Sequence, residues 1–158
     1  MIRTLGLGLA AVVIALDRLS KWWLLDRFDL AAKSPVEIFP FFKLTLVWNR
    51  GVSLGLFQME GEGGRVFLIG MTAAIAALVA AWLWRERKLH LALALGLVLG
   101  GALGNIWDRL QFGAVADFLH FHARGLSFYI FNAADAAITV GVGILLLDAL
   151  LFRKKQNT

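Results

Sequence analysis

Asp108, Asp117 and Asp135 each lie at or near the end of a long apolar segment. Their stretches are Gly-Asn-Ile-Trp-Asp-Arg (104–109), Val-Ala-Asp-Phe (115–118) and Phe-Asn-Ala-Ala-Asp (131–135). A carboxylate in such surroundings costs free energy unless it is paired or used. Two carboxylates that share one proton make an acid–base pair able to activate water for attack on an amide. Three candidates compete for those two roles. Asp108, beside Arg109, reads as half of a neutralised pair at a helix end. Asn132-Ala-Ala-Asp135 reads as an N-cap with an acid at the third helical position, where the helix dipole favours negative charge. Asp117 has the weakest structural excuse, because its stretch is extended, mainly apolar and without an adjacent cation.

The elements that must position these groups are membrane spans. Of 158 residues, 59% are hydrophobic and 17% charged, and the mean hydropathy is +0.73. A soluble domain of this length cannot bury that much apolar surface. Four stretches are long and apolar enough to cross a bilayer, at about 5–25, 66–84, 89–107 and 132–152. A helix over the last would be roughly 31 Å long, against a hydrocarbon core of about 30 Å. The expectation is one integral membrane domain over 1–158, an all-α membrane protein with four transmembrane helices and a small extracytoplasmic β-rich loop region.

Charge placement orients the spans. Arg3 precedes the first, Arg85, Arg87 and Lys88 join the second to the third, and Arg153, Lys154 and Lys155 follow the fourth. Segment 26–65 balances five basic residues with five acidic ones. The positive-inside rule puts both termini and 85–88 in the cytoplasm, so the loops at about 26–65 and 108–131 lie outside. The net charge of +5 reads as membrane anchoring, with no case for nucleic-acid binding. Arg3 and the apolar run 5–16 resemble the start of a cleavable signal peptide. The run continues past Asp17 to Leu25 without a small-x-small cleavage site, so it reads as a retained span. The absence of cysteine excludes thiol nucleophiles and disulfides.

Within the outer loops, 41–48 alternates like a strand, with Lys43 and Thr45 set against Phe42, Leu44 and Leu46. Pro35 and Pro40 break the chain before it, and Asn49-Arg50-Gly51 gives a turn after it. Residues 114–122 suggest a second extended piece, and Gly61, Gly63 and Gly64 a loosened link into the second span. In the third span Gly96, Gly100 and Gly104 form a smooth stripe for close helix approach, and Asp108 continues it by one turn.

With this topology, Asp17–Lys21, Asn105–Arg109 and Asn132–Asp135 all meet the outer surface, where Asn49 and Asp117 also lie. A shared polar site at one face is the expectation. Asp17 and Lys21, spaced i, i+4, suit an ion pair. Asp148, one turn before Arg153, suits a pair at the cytoplasmic interface. His120-Phe-His122 lacks the helical His-Glu-x-x-His spacing of zinc proteases, so no metal site is expected. Ser20, Ser53 and Ser127 have no base beside them.

These residues together resemble bacterial lipoprotein signal peptidase, also called signal peptidase II, over nearly the whole chain. Asp17-Arg-Leu-Ser-Lys21 is similar to the family's Asp-x-x-x-Lys on the first span. Asn49-Arg-Gly51-Val-Ser-Leu-Gly55 is similar to its Asn-x-Gly motif, with Leu54 where Phe is expected. Gly104–Arg109 with Val115–Phe118, and Phe131–Asp135, resemble the two blocks that each hold one catalytic Asp.

The resemblance implies that Asp117 and Asp135 form a catalytic dyad. It implies that Asn49, Gly51, Asn105, Arg109 and Asn132 bind substrate or support the dyad, and that Asp17, Lys21 and Asp108 brace that shell. The implied reaction is removal of the signal peptide from a diacylglyceryl-modified prolipoprotein, just before the lipid-modified cysteine. The implied setting is the bacterial cytoplasmic (inner) membrane among its lipids, with no cofactor and with sensitivity to globomycin-type inhibitors. Two other classes compete on residues alone. A proton-coupled transporter would carry relay carboxylates across the whole bilayer, and the inner half here holds almost none. An assembly protein would depend on the Gly96–Gly104 stripe alone.

Overall fold

A computed structural model of the chain describes residues 1–51, 61–123 and 126–153, with Phe152 and Arg153 described by backbone only. Ser53, Leu54, Gly55, Lys154 and Lys155 lie outside the described residues. The elements run α1 (Ile2–Trp22), a π-helical turn (Trp23–Arg27), α2 (Leu30–Lys33), β1 (Val36–Phe39), β2 (Phe42–Asn49) and α3 (Gly61–Arg85). They continue with α4 (Leu89–Phe112), β3 (Val115–Ala123), β4 (Leu126–Phe131) and α5 (Ala133–Arg153).

α4 is the central helix, packed against α1, α3 and α5. Its sequence explains why. Gly96 and Gly100 lie directly against the backbone of Gly6 and Ala10 on α1, and Gly101 against that of Ala134 on α5. Backbone approach at this range is open only to residues without a Cβ. The matching face of α1 buries Gly6, Ala10, Val13, Asp17 and Lys21, a single stripe at helical spacing. The apolar core between the helices is built from Ala10, Ala76, Leu83, Ala92, Leu95, Leu99 and Ala102. A Cβ at Gly100 would sit 2.7 Å from the Ala10 carbonyl oxygen and 2.8 Å from Val13 Cβ, while one at Gly70 would meet nothing within 4 Å. Gly100→Leu is therefore expected to lower stability by about 3 kcal/mol or more, with Gly70→Leu near neutral, as read by thermal unfolding in micelles.

Among the described residues, three helices are long and apolar enough to cross a membrane: Gly61–Arg85, Leu89–Phe112 and Ala133–Leu151. α1 has the length, but it carries Arg3, Asp17, Arg18 and Lys21. Gly61, Gly63 and Gly64, expected to loosen a link, instead lie in the first turn of α3.

The sheet is antiparallel throughout, in the order β1-β2-β3-β4. The two expected extended pieces are β2 and β3, and β1 and β4 flank them. The chain reaches β3 from α4 through Gly113, whose φ of 76° is left-handed and whose N–H bonds the Arg109 carbonyl at 3.1 Å. Such a glycine ends a helix at little steric cost. Between the pairs Leu44–Leu119 and Val47–Asp117 the register of β2 on β3 slips by one residue. In that interval the Leu46 N–H donates to Ser34 Oγ at 2.9 Å. Leu24, Leu30 and Phe118 form the buried cluster under the sheet, with Val36, Leu44 and Leu119 against it.

Candidate active site

Two carboxylates and two amides make the centre of the site. Asn132 caps α5: its Oδ1 accepts the Asp135 N–H at 2.9 Å, the cap expected from sequence. Its Nδ2 donates to Asp117 Oδ1 at 2.6 Å and to Asn105 Oδ1 at 3.3 Å. Asn105 Nδ2 in turn donates to Asp135 Oδ1 at 2.8 Å. The two asparagines thus tie the carboxyl groups of β3 and α5 into one buried network. Asp117 is 1% exposed and Asn132 is fully buried.

Asn49 closes the other side. Val47 pairs with Asp117 and Asn49 with Val115, so Asn49 and Asp117 are diagonal neighbours on one sheet face. Asn49 Nδ2 donates to Asp117 Oδ2 at 3.0 Å and to the Tyr129 hydroxyl at 2.7 Å. Its Oδ1 accepts the Gly51 N–H at 2.9 Å. Arg109, near the end of α4, donates from Nη2 to the Gly51 carbonyl at 2.8 Å and from Nη1 to that of Asn105 at 3.5 Å.

Both Asp117 oxygens accept hydrogen bonds, which favours its charged form. Burial nevertheless raises its pKa to about 7, helped by the neighbouring charge of Asp135 and opposed by Asn49, Asn132 and Lys21. Desolvation is the dominant cause, since a carboxylate removed from water is costly until it takes up a proton.

A second buried network lies between α1 and α4. Lys21 Nζ reaches Asp17 at 2.8 Å and Asp108 at 2.6 Å. Arg18 bonds Asp17 at 2.8 Å and also bonds Asp108. Asp17 and Asp108 are fully buried. Asp108 Oδ2 further accepts the Ala116 N–H at 3.2 Å, next to Asp117. The glycine stripe leads into this cluster, for a Cβ at Gly104 would stand 2.9 Å from Asp17 Oδ2.

One expected ion pair is corrected here. Asp108 does not pair with the adjacent Arg109: neighbours in a helix diverge by about 100°, and Asp108 faces α1 while Arg109 turns to Gly51. Asp148 does have the partner expected of it: His90 Nε2 at 2.7 Å, across α4 and α5. The expected Asp17–Lys21 pair is present. Two contributors were not singled out from sequence. Arg18 had a readable signal, since two buried carboxylates call for two cations. Tyr129 had only its being the one tyrosine in the chain. His120 spans the sheet, bonding Thr45 Oγ1 at 3.1 Å and Ser127 Oγ at 2.6 Å. Ser127, expected to have no base beside it, therefore has this imidazole, brought there by the pairing of β3 with β4.

The chain is similar in sequence and fold to known proteins. A lipoprotein signal peptidase of Methylobacterium sp. (strain 4-46) is 49% identical over 146 residues, covering 92% of this chain and 88% of that one. The lipoprotein signal peptidase of Rhizorhabdus wittichii is 49% identical over 155 residues, covering 98% and 90%. Two solved structures, each described as a bacterial membrane enzyme obtained by the in meso method, superpose with TM-scores of 0.78 and 0.76. Their identities are 27% and 28%; the first covers 97% of this chain and 91% of its own, the second 92% of each. A family model described as signal peptidase (SPase) II matches residues 9–151. With nine-tenths of the chain matched, the same fold in solved membrane enzymes and three helices fit for a bilayer, this chain belongs to the signal peptidase II family of integral membrane peptidases.

Proposed function

We propose that the chain is an aspartic endopeptidase of the bacterial inner membrane. It removes the signal peptide from diacylglyceryl-modified prolipoproteins, cutting just before the lipid-modified cysteine. The observation that carries this reading is the pair Asp117 and Asp135, bound into one buried network by Asn105 and Asn132. The names of the relatives supply the substrate class.

In this mechanism the two carboxyl groups hold one proton between them. The ionised one takes a proton from water, and the oxygen attacks the scissile carbonyl. The protonated one gives its proton to the carbonyl oxygen, forming a tetrahedral diol. The proton taken from water then passes to the cysteine nitrogen as the C–N bond breaks, and one diol hydroxyl returns its proton to the other carboxylate. This leaves the new carboxyl group and a dyad that again holds one proton. Asn105, Asn132 and Asn49 fix the carboxyl groups, and Arg109 holds the Gly51 turn beside them. Asp17, Arg18, Lys21 and Asp108 brace the helices behind.

The domain spans 1–158, with α1 as a fourth transmembrane helix. Its charged residues Asp17, Arg18 and Lys21 are matched by Asp108 inside the protein, which removes the main objection to burying them. Both termini are cytoplasmic, and the dyad lies at the outer face, where a signal helix, its acyl chains and water meet. Globomycin-type inhibitors are expected to block it. The direct test is a gel-shift cleavage assay in micelles with a diacylglyceryl-modified prolipoprotein, and no shift with wild type ends the proposal.

The pH profile gives a second test. The active form needs the shared proton, and that proton leaves as pH rises through about 7, the Asp117 value. kcat/KM is therefore expected to fall on the alkaline side, about tenfold per pH unit. Asn49→Ala removes a donor that favours the charged form, so it should move this limb to higher pH. A limb that stays in place, or moves lower, contradicts the assignment.

A further inference from the structure

A cavity of about 270 Å³ opens beside Arg109, lined also by Arg50, Glu62, Arg65, Leu68 and Phe112. Three guanidinium groups meet one carboxylate there, and Glu62 already pairs with Arg65 at 3.3 Å. The excess of positive charge calls for an anion. Arg109 is 7% exposed; its Nη atoms are given to the Gly51 and Asn105 carbonyls, and its buried Nε has no hydrogen-bond partner among the described residues. It therefore adds its charge to the cavity wall, while Arg50 and Arg65 offer the accessible guanidinium edges. The N-terminal end of α3 adds its dipole from the same side. Leu68, 2% exposed, and Phe112 give the cavity an apolar part.

Its position is as informative as its charge. The cavity lies at the start of α3 and the end of α4, two helices fit to cross a membrane. That is the level at which a bilayer carries its phosphates. Guanidinium forks match phosphate oxygens in two-point contacts, and the apolar wall suits the glycerol and first acyl carbons.

We propose that Arg50, Arg65 and Arg109 form a binding site for a phosphate group, supplied by the headgroup of an anionic phospholipid. The site uses the membrane placement given above and none of the dyad chemistry. Its failure therefore leaves the cleavage assay unaffected, and failure of the peptidase reading leaves this site standing.

The test uses the full chain, delipidated in neutral detergent. Phosphatidylglycerol is titrated and bound lipid is counted by native mass spectrometry. Wild type is expected to hold one lipid, and R50Q/R65Q to bind it at least about tenfold more weakly. R50K/R65K, which keeps the charge, should stay closer to wild type and separates lost binding from lost folding. R85Q/R87Q, at the other end of α3, should not differ from wild type. Inorganic phosphate separates the sources. If it displaces the lipid and itself binds wild type better than R50Q/R65Q, the site reads phosphate from either source. If it does neither while the variant effect holds, the lipid is the source. Equal lipid binding by wild type and R50Q/R65Q overturns the proposal, as does an equal loss in R85Q/R87Q.

Discussion

Asp117→Asn and Asp135→Asn are each expected to lower cleavage of a diacylglyceryl-modified prolipoprotein by at least about a thousandfold, while Asp108→Asn keeps partial activity. An amide can neither take a proton from water nor give one to the carbonyl oxygen. Asparagine at 117 carries a second penalty. Its Nδ2 would face an amide donor, either Asn49 Nδ2 or Asn132 Nδ2. Neither neighbour can turn round freely, since Asn49 Oδ1 is held by the Gly51 N–H and Asn132 Oδ1 by the Asp135 N–H. Asp108 is different in kind. Its oxygens go to Lys21, Arg18 and the Ala116 N–H, so its loss disturbs the neighbourhood of Asp117 without removing a proton carrier. Single-turnover gel shifts on the three variants decide the matter. Activity within tenfold of wild type in either dyad variant sinks the mechanism.

Lys21→Met should be the most destabilising single change of comparable size, by about 3–5 kcal/mol. Lys21 is 1% exposed, and it lies between two fully buried carboxylates, Asp17 and Asp108. Without it, Arg18 alone must balance both. Methionine fills much of the volume, so the cost is one of charge rather than of packing. A second change checks this: Lys21→Met with Asp108→Asn removes one charge of each sign and should recover part of the loss. Thermal unfolding in detergent reads both. A Lys21→Met protein that melts with wild type would mean that the cluster contributes nothing to holding α1 on α4.

Much of this was legible in the residues, and what was missed has a common cause. Helical spacing is a one-dimensional property, so the glycine stripe, the Asp17–Lys21 pair and the Asn132 cap could be read directly. The convergence of Asn49, Asn105, Asp117, Asn132 and Asp135 followed from charge bias and the order of the motifs. Partners fixed by packing could not be read this way. Asp108 was matched with its sequence neighbour because adjacency is visible and helix rotation is not. That Asp148 would be paired was legible, but its partner His90, 58 residues away, was not. β1 and β4 were not foreseen: their short, apolar runs lack a clean alternation, and they are defined by pairing with β2 and β3. The cavity beside Arg109 joins residues from three separate stretches of chain, which no local pattern announces.

The slip between Leu44 and Val47 imposes an odd–even rule on the length of β2. A strand alternates its faces at every residue, so removing one residue turns all those beyond it to the opposite side. In most of β2, a one-residue deletion would aim Asn49 away from Asp117. At Thr45 or Leu46 the strand already holds one residue more than its partner, with the Leu46 N–H given to Ser34 instead of β3. There alone can a single residue be lost while both flanking registers stay as they are. Viable length variants of this strand should therefore differ by two residues, or by one at that point.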